Sequence, residues 1–248
     1  MTAPLHPAAC APRMLKDMTP GQVAEYIARD PRLIIPVGTC EQHGPHLPLG
    51  TATIIAESLA DDLSASHDVL RAPTVEYGVN VRTERDFPGN ASMRKKTLHR
   101  MLNDLLASWE SSGFREFILL TAHDHEPHEE ALATVLTKIA RVRVVDIFAV
   151  DVSDLLEGQS GHMHGGEVDT SIMLYLAPQD VHMELAQDWM MSREDVRRYR
   201  RGRLRVPKGS AGSIGRPTLA SAAKGQAIYD RICQRVSDRV FRSPSPDE

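Results

Sequence analysis

Residues 34–53 read Ile34-Ile35-Pro36-Val37-Gly38-Thr39-Cys40-Glu41-Gln42-His43-Gly44-Pro45-His46-Leu47-Pro48-Leu49-Gly50-Thr51-Ala52-Thr53. An apolar run from Leu33 to Val37 feeds a loop dense in Gly, Pro and His, and a helical pattern follows. In an α/β protein, ligand sites collect beyond the carboxyl ends of the strands. Glu41 and His43 occupy that position, two residues apart, and in extended backbone such side chains point to the same side. A carboxylate oxygen and an imidazole nitrogen would then converge, as a borderline metal such as zinc requires. The plain alternative is a Gly/Pro surface loop with incidental polar residues.

Outward from this stretch the pattern repeats. Thr19-Pro20 reads as a helix start, with Thr19 as N-cap and Pro20 in the first turn. The helix runs to about Asp30, with Val23, Tyr26 and Ile27 on one face. After Thr53, Ile55, Leu59 and Leu63 recur every four residues, which predicts a helix with a core face. Val69 to Val75 predicts a short strand, and residues 76–94 a long loop of the functional kind. Leu98, Met101, Leu102, Leu105, Leu106 and Trp109 form a helical stripe that stops before Gly113. Phe114 to Leu120 predicts a buried strand. A helix carrying Ala131, Val135 and Ile139 follows, then a strand-like run over Val142 to Val150, and a closing helix from about Leu219 to Phe241. Strands alternating with helices predict a mostly parallel sheet with helices on both faces. We read 1–18 as an N-terminal arm, 19–242 as a single domain with a basic excursion at 183–210, and 243–248 as a polar tail.

Composition bounds the function. The 248 residues are 42% hydrophobic and 25% charged, with a formal net charge of -4, which gives no general reason to bind nucleic acid or an acidic membrane. The basic run Arg197-Arg198-Tyr199-Arg200-Arg201 lacks an accompanying basic domain or aromatic platform and reads as a solvated helix face or a subunit contact. Cys10, Cys40 and Cys233 are too few and scattered for a disulfide framework, so a cytoplasmic location is expected. No apolar run has the length of a membrane span, and Met1 to Arg13 lacks the apolar core of a signal peptide.

Two further clusters carry chemistry. His123 and His125 follow a strand and are again two apart. His162 and His164 precede Gly165, Gly166 and Glu167, where glycines permit a close approach and a helix N-terminus favours an anionic group.

The stretch Glu41-Gln42-His43-Gly44-Pro45-His46-Leu47-Pro48-Leu49 resembles the signature of the creatininase (creatinine amidohydrolase) family. The resemblance continues through Phe87-Pro88-Gly89, the histidines near 123, His164-Gly165-Gly166-Glu167-Val168-Asp169-Thr170-Ser171, Gly215-Arg216-Pro217 and Ala222-Ala223-Lys224-Gly225. It implies a three-layer α/β/α sandwich and a metal-dependent hydrolase of small amides, lactams or formamides, assembled as a homo-oligomer, often a hexamer. Together with the two spaced pairs it points to Glu41, His43, His123 and His125 as metal ligands, and mixed imidazole and carboxylate ligands favour zinc first and manganese second. His164 would lie on the substrate side and Glu167 would serve as general base. Asp124, His162 and His46 complete the expected substrate-facing set. The family carries a carboxylate where this chain has His125, unless Glu126 or Asp124 turns inward, and a bridging aspartate where it has Ala52. Both changes reduce the negative charge available, which predicts one tightly held metal per chain, unless Glu167, Glu126 or Asp86 supplies the missing carboxylate. The same changes fit a creatininase-like protein that has lost catalysis and binds a small ligand or partner. Asp124 at an expected aromatic position, and the lack of a tryptophan before His164, argue against creatinine as substrate.

Overall fold

The computed structural model of the chain describes residues 11–81, 87–201 and 210–241. Five parallel strands form one sheet: β1 (Arg13–Met14), β2 (Arg32–Val37), β3 (Leu70–Arg71), β4 (Glu116–Thr121) and β5 (Arg141–Asp146), in the order β1-β3-β2-β4-β5. Seven α-helices are described: α1 (Pro20–Arg29), α2 (Thr51–His67), α3 (Lys95–Ser111), α4 (Glu126–Ala133), α5 (Glu167–Leu176), α6 (Arg193–Arg200) and α7 (Ala222–Val236).

The strand parity sorts the helices. Leu33, Ile35 and Val37 of β2, with Phe117 and Leu119 of β4, pack against Leu98, Leu102 and Leu106 of α3 and Ala131 and Leu132 of α4. Ile34, Ile118 and Leu120 point the other way, onto Ile55 and Leu59 of α2, Ile172 of α5 and Ile228 of α7. Alternate side chains of a strand face opposite sides, so two apolar strands buried on both faces force a three-layer α/β/α sandwich. No helix among the described residues is long and apolar enough to cross a membrane.

Local rules set most boundaries. Thr19 caps α1 in a reciprocal box with Gln22. Gly113, at φ +114°, ends the approach from α3. The expected helix through Val135 and Ile139 stops instead at Ala133. The Glu110 carboxylate, at the end of α3, accepts N–H groups from Lys138, Ile139 and Ala140 at 2.6–3.1 Å. Those amides are thereby lost to a helix, and Ile139 is left 71% exposed. The strand expected to reach Val150 ends at Asp146, whose side chain accepts the Phe148 N–H and opens a 3-10 turn. The closing helix starts at Ala222, capped by Ser221, and ends at Val236, where a π-helical turn, Ser237–Phe241, takes over.

Of the segment read as an arm, Arg13 and Met14 join the sheet edge. The Arg13 N–H reaches Ser64 Oγ at 2.8 Å, and its guanidinium pairs with Asp68 at 2.7 Å. Residues 1–10 and 242–248 lie outside the described residues, as do residues 202–209 of the 183–210 excursion.

Helices α5 and α7 pack backbone to backbone at Gly225, where an added Cβ would lie 1.8 Å from the Ser171 carbonyl oxygen. Alanine normally gains about 0.8–1.0 kcal/mol over glycine inside a helix. Here the clash is with backbone and no rotamer relieves it, so overpacking of about 1–3 kcal/mol wins. Gly225→Ala is expected to lower the melting temperature by several degrees in thermal unfolding; an unchanged or raised value would contradict this packing.

Candidate metal and catalytic site

The site forms beyond the carboxyl ends of β2 and β4. The loop after β2 is pinned by its backbone: Glu41 N–H donates to Leu49 O at 2.9 Å and Gln42 N–H to Asn90 Oδ1 at 2.6 Å. Glu41 and His43 are buried, with exposures of 0% and 3%. One carboxylate oxygen of Glu41, His43 and His164 offer ligand atoms that all lie within 4.8 Å of one another. His123, just past β4, approaches the same carboxylate, with Nδ1 3.1 Å from Oε2.

Three backbone carbonyls decide how these rings are protonated. His43 Nδ1 lies 2.9 Å from the Glu41 carbonyl oxygen, His164 Nε2 2.6 Å from that of Gln42, and His123 Nε2 3.1 Å from that of Val79. A carbonyl only accepts, so each of these nitrogens carries the proton. His164 Nε2 also lies 3.2 Å from Gln42 Nε2, but the shorter carbonyl contact outweighs it. Burial disfavours a second proton on every ring. It lowers His43 despite Asp169, and it holds His123 and His164 well below the usual imidazole range. Each ring is therefore neutral, and its other nitrogen carries a lone pair. For His123 that lone pair meets a Glu41 oxygen at 3.1 Å. A buried carboxylate grouped with neutral imidazoles, each ring oriented by a backbone acceptor, is the donor chemistry of a divalent-cation site.

His128 extends this support. Fully buried, it accepts the Val79 N–H at Nδ1 (3.2 Å), and its Nε2–H reaches Thr121 Oγ1 at 3.1 Å. Burial pushes its pKa down to about 3, which keeps it neutral. A line from β4 through His128 and Val79 thus holds His123. Val81 N–H completes the segment with a 3.3 Å bond to Glu41 Oε1.

The other expected residues fall in different places. His125 is buried, its ring 5.8 Å from that of His123, and it lines a cleft of about 630 Å³. Glu126, the alternative second-loop carboxylate, is exposed and faces Arg201 at 3.6 Å. Asp86 lies outside the described residues. Ala52 is buried in an apolar cluster with Leu47 and Ile55. Its neighbours Thr51 and Thr53 spend their hydroxyls on the carbonyls of Pro48 and Thr39.

Glu167 does not join the Glu41 cluster. Its carboxylate accepts the N–H groups of Glu157 and Gly158 at 3.0 Å each, and it pairs with Lys224. Helix geometry explains this, because residues two apart on a helix face nearly opposite ways. The rotation that sends Glu167 towards Lys224 of α7 turns Asp169 to the site. Asp169 accepts the Gly165 N–H at 2.7 Å and meets His162 Nε2 at 2.9 Å. Sequence reasoning passed over Asp169; once α5 begins at Glu167, the helical period is the signal that finds it.

His162 lies between two carboxylates, Asp169 and, at 3.6 Å, Asp124, and stacks on Phe148 with centroids 3.7 Å apart. Burial opposes its charge, but the two aspartates prevail and lift its pKa to about 9. His46 is turned inward, bonded to Thr170 Oγ1 at 2.9 Å, and burial lowers its pKa to about 4.

A family model described as Creatininase: Creatinine amidohydrolase matches residues 16–240. The Mycofactocin precursor peptide peptidase of Mycolicibacterium smegmatis is 30% identical over 223 residues, 86% of this chain and 85% of its own. The 3-dehydro-scyllo-inosose hydrolase of Thermotoga maritima is 26% identical over 263 residues, 92% of this chain and 84% of its own. Among solved structures, one titled Creatininase Mn superposes with a TM-score of 0.78 at 22% identity, covering 93% of this chain and 98% of that one, a shared fold. The family match spans both pinned loops and helix α5, and the chain belongs to the creatininase family of amidohydrolases.

Proposed function

We propose that this amidohydrolase is metal-dependent and cleaves a non-peptide carbon–nitrogen bond, an amide, lactam or formamide, in a small polar molecule. The observation that carries the reading is the grouping of Glu41, His43 and His164, with the His43, His164 and His123 rings in contact with the Glu41, Gln42 and Val79 carbonyls. Glu41, His43 and His164 would hold a divalent cation, with His123 supplying a further nitrogen. Mixed carboxylate and imidazole ligands favour zinc, with manganese as second choice. When bound, such an ion acidifies water from a pKa of 15.7 to about 7 and polarises a carbonyl.

The chain's own residues do the rest. Water adds across the carbon–nitrogen bond: the acyl carbon gains the hydroxyl, the nitrogen gains the proton, and nothing is oxidised. Asp169, held ionised by His162 and the Gly165 N–H despite its burial, orients His162. His162 carries a proton between Asp169 and Asp124, whose side chain is one-fifth exposed, so it is the group suited to deliver or remove a proton at the leaving nitrogen. Glu167, tied to Lys224, serves instead to anchor α5 to α7.

The free thiols of Cys40 and Cys233 fit a reducing compartment, and we place the activity in the cytoplasm. Leu136 and Ile139, 72% and 71% exposed beside α4 and β5, fit contacts between copies in a homo-oligomer. Ala52 and His125 favour a second reading, a ligand-binding protein without catalysis. Turnover of lactams, formamides and ureides with added Zn or Mn separates the two.

Metal content tests the site directly. His43→Ala, His123→Ala and His164→Ala are each expected to lower bound zinc or manganese by about 10-fold or more in affinity and to abolish hydrolysis, with circular dichroism unchanged. Undiminished stoichiometry in all three would eliminate the assignment.

A second prediction concerns the number of ions. With Ala52 where the family has a bridging aspartate, protein purified without chelator is expected to carry one equivalent of metal per chain. Ala52→Asp should raise it towards two. Two equivalents in the native chain would sink the single-metal expectation.

A further inference from the structure

The cleft of about 630 Å³ that opens beside His125 is lined by five cationic side chains and one carboxylate, Glu130. The chain as a whole carries a formal charge of -4, so this concentration of positive charge runs against the overall balance. Lys95 is neutralised by Glu130 at 2.7 Å, and Arg201 by Glu126 at 3.6 Å. Arg94, Lys96 and Arg100 are exposed and make no ion pair among the described residues. Lys96 and Arg100, four apart on α3, share one helix face, and Arg94 immediately precedes that helix.

A second, independent feature sits in the same wall. Asn80 is 5% exposed, and its Oδ1 is buried with no hydrogen-bond partner, while its Nδ2 is fixed by a 2.8 Å bond to the Cys40 carbonyl. Its neighbours are part of the site: Val79 O holds His123, and Val81 N–H reaches Glu41. An unpaired buried acceptor costs free energy unless something donates to it, and Asn80 lines this cleft, between two residues that bond His123 and Glu41. The cleft is of the size that takes small molecules.

We infer that the substrate is a small amide carrying an anionic group, a carboxylate or a phosphate, remote from the scissile bond. Arg94, Lys96 and Arg100 take the anion, and Asn80 Oδ1 takes an N–H of the same molecule. This deepens the hydrolase reading above and rests on it for the position of the scissile bond. The exposed cations contribute by steering and by charge pairing, both weakened by salt.

The test is calorimetric binding of glutarate, glycerol 3-phosphate and the neutral diamide glutaramide to the protein as purified, in the native chain and in Lys96→Glu/Arg100→Glu. Both substitutions lie on an exposed helix face, and circular dichroism checks the fold. At least one anion is expected to bind the native chain, to weaken about tenfold or more in the variant, and to weaken as salt is raised. Glutaramide should not distinguish the two proteins. Tighter glutarate identifies a carboxylate substrate, and tighter glycerol 3-phosphate a phosphorylated one. No binding of either anion, or equal binding by native and variant chains, overturns the inference. Binding requires no turnover, so charge-dependent glutarate binding without hydrolysis of any amide would sink the hydrolase reading alone. Hydrolysis of neutral lactams with KM unchanged in the variant would sink this inference alone.

Discussion

Three backbone carbonyls, those of Glu41, Gln42 and Val79, fix the chemistry of the site. Each accepts the only proton that a neutral imidazole carries, so each ring must offer a lone pair at its other nitrogen. Burial reinforces this by making a second proton costly on His43, His123 and His164. The carbonyls belong to the loops that follow β2 and β3, so the backbone itself sets the orientation of the rings. Glu41 contributes twice: its carboxylate is a candidate ligand, and its carbonyl orients His43.

The sandwich makes this possible because β2 and β4 are neighbours in register, with Val37 opposite Thr121. Their loops therefore leave the sheet side by side and bring Glu41 and His123 together. The segment Val79–Val81 crosses both, bonding His123 at one residue and Glu41 two residues later, and it is tied to β4 through His128 and Thr121. Helix α5 closes the site from the other core layer with Asp169 and Thr170, and its own position depends on the close approach of α7 at Gly225.

Much of this was legible in the sequence where a short-range rule dominates. The Thr19 cap, the four-residue stripe of α2 and the unbroken apolar runs of β2 and β4 each specify their element locally. The first pair of site residues, Glu41 and His43, follows from a strand end and a spacing. What escaped depends on contacts distant in the chain. Nothing near Ile139 announces that Glu110, on another helix, will take its amide and stop α4 early. His128 reads as one more polar residue until Val79 is beside it. Glu167 and Asp169 are both carboxylates after a Gly-Gly turn, and only the start of α5 decides which of them turns inward. His164 lies beside Glu41 with its ring centroid 4.4 Å from that of His43 and tilted to it by 30°, a proximity that no local pattern encodes.

The protonation of the three rings is the quantity on which the account stands. Long-range proton–nitrogen correlation spectra of the metal-free protein at neutral pH report it ring by ring. The account predicts neutral imidazoles throughout, with the proton on Nδ1 in His43 and on Nε2 in both His123 and His164. An imidazolium, or the opposite tautomer, at any of the three would contradict it.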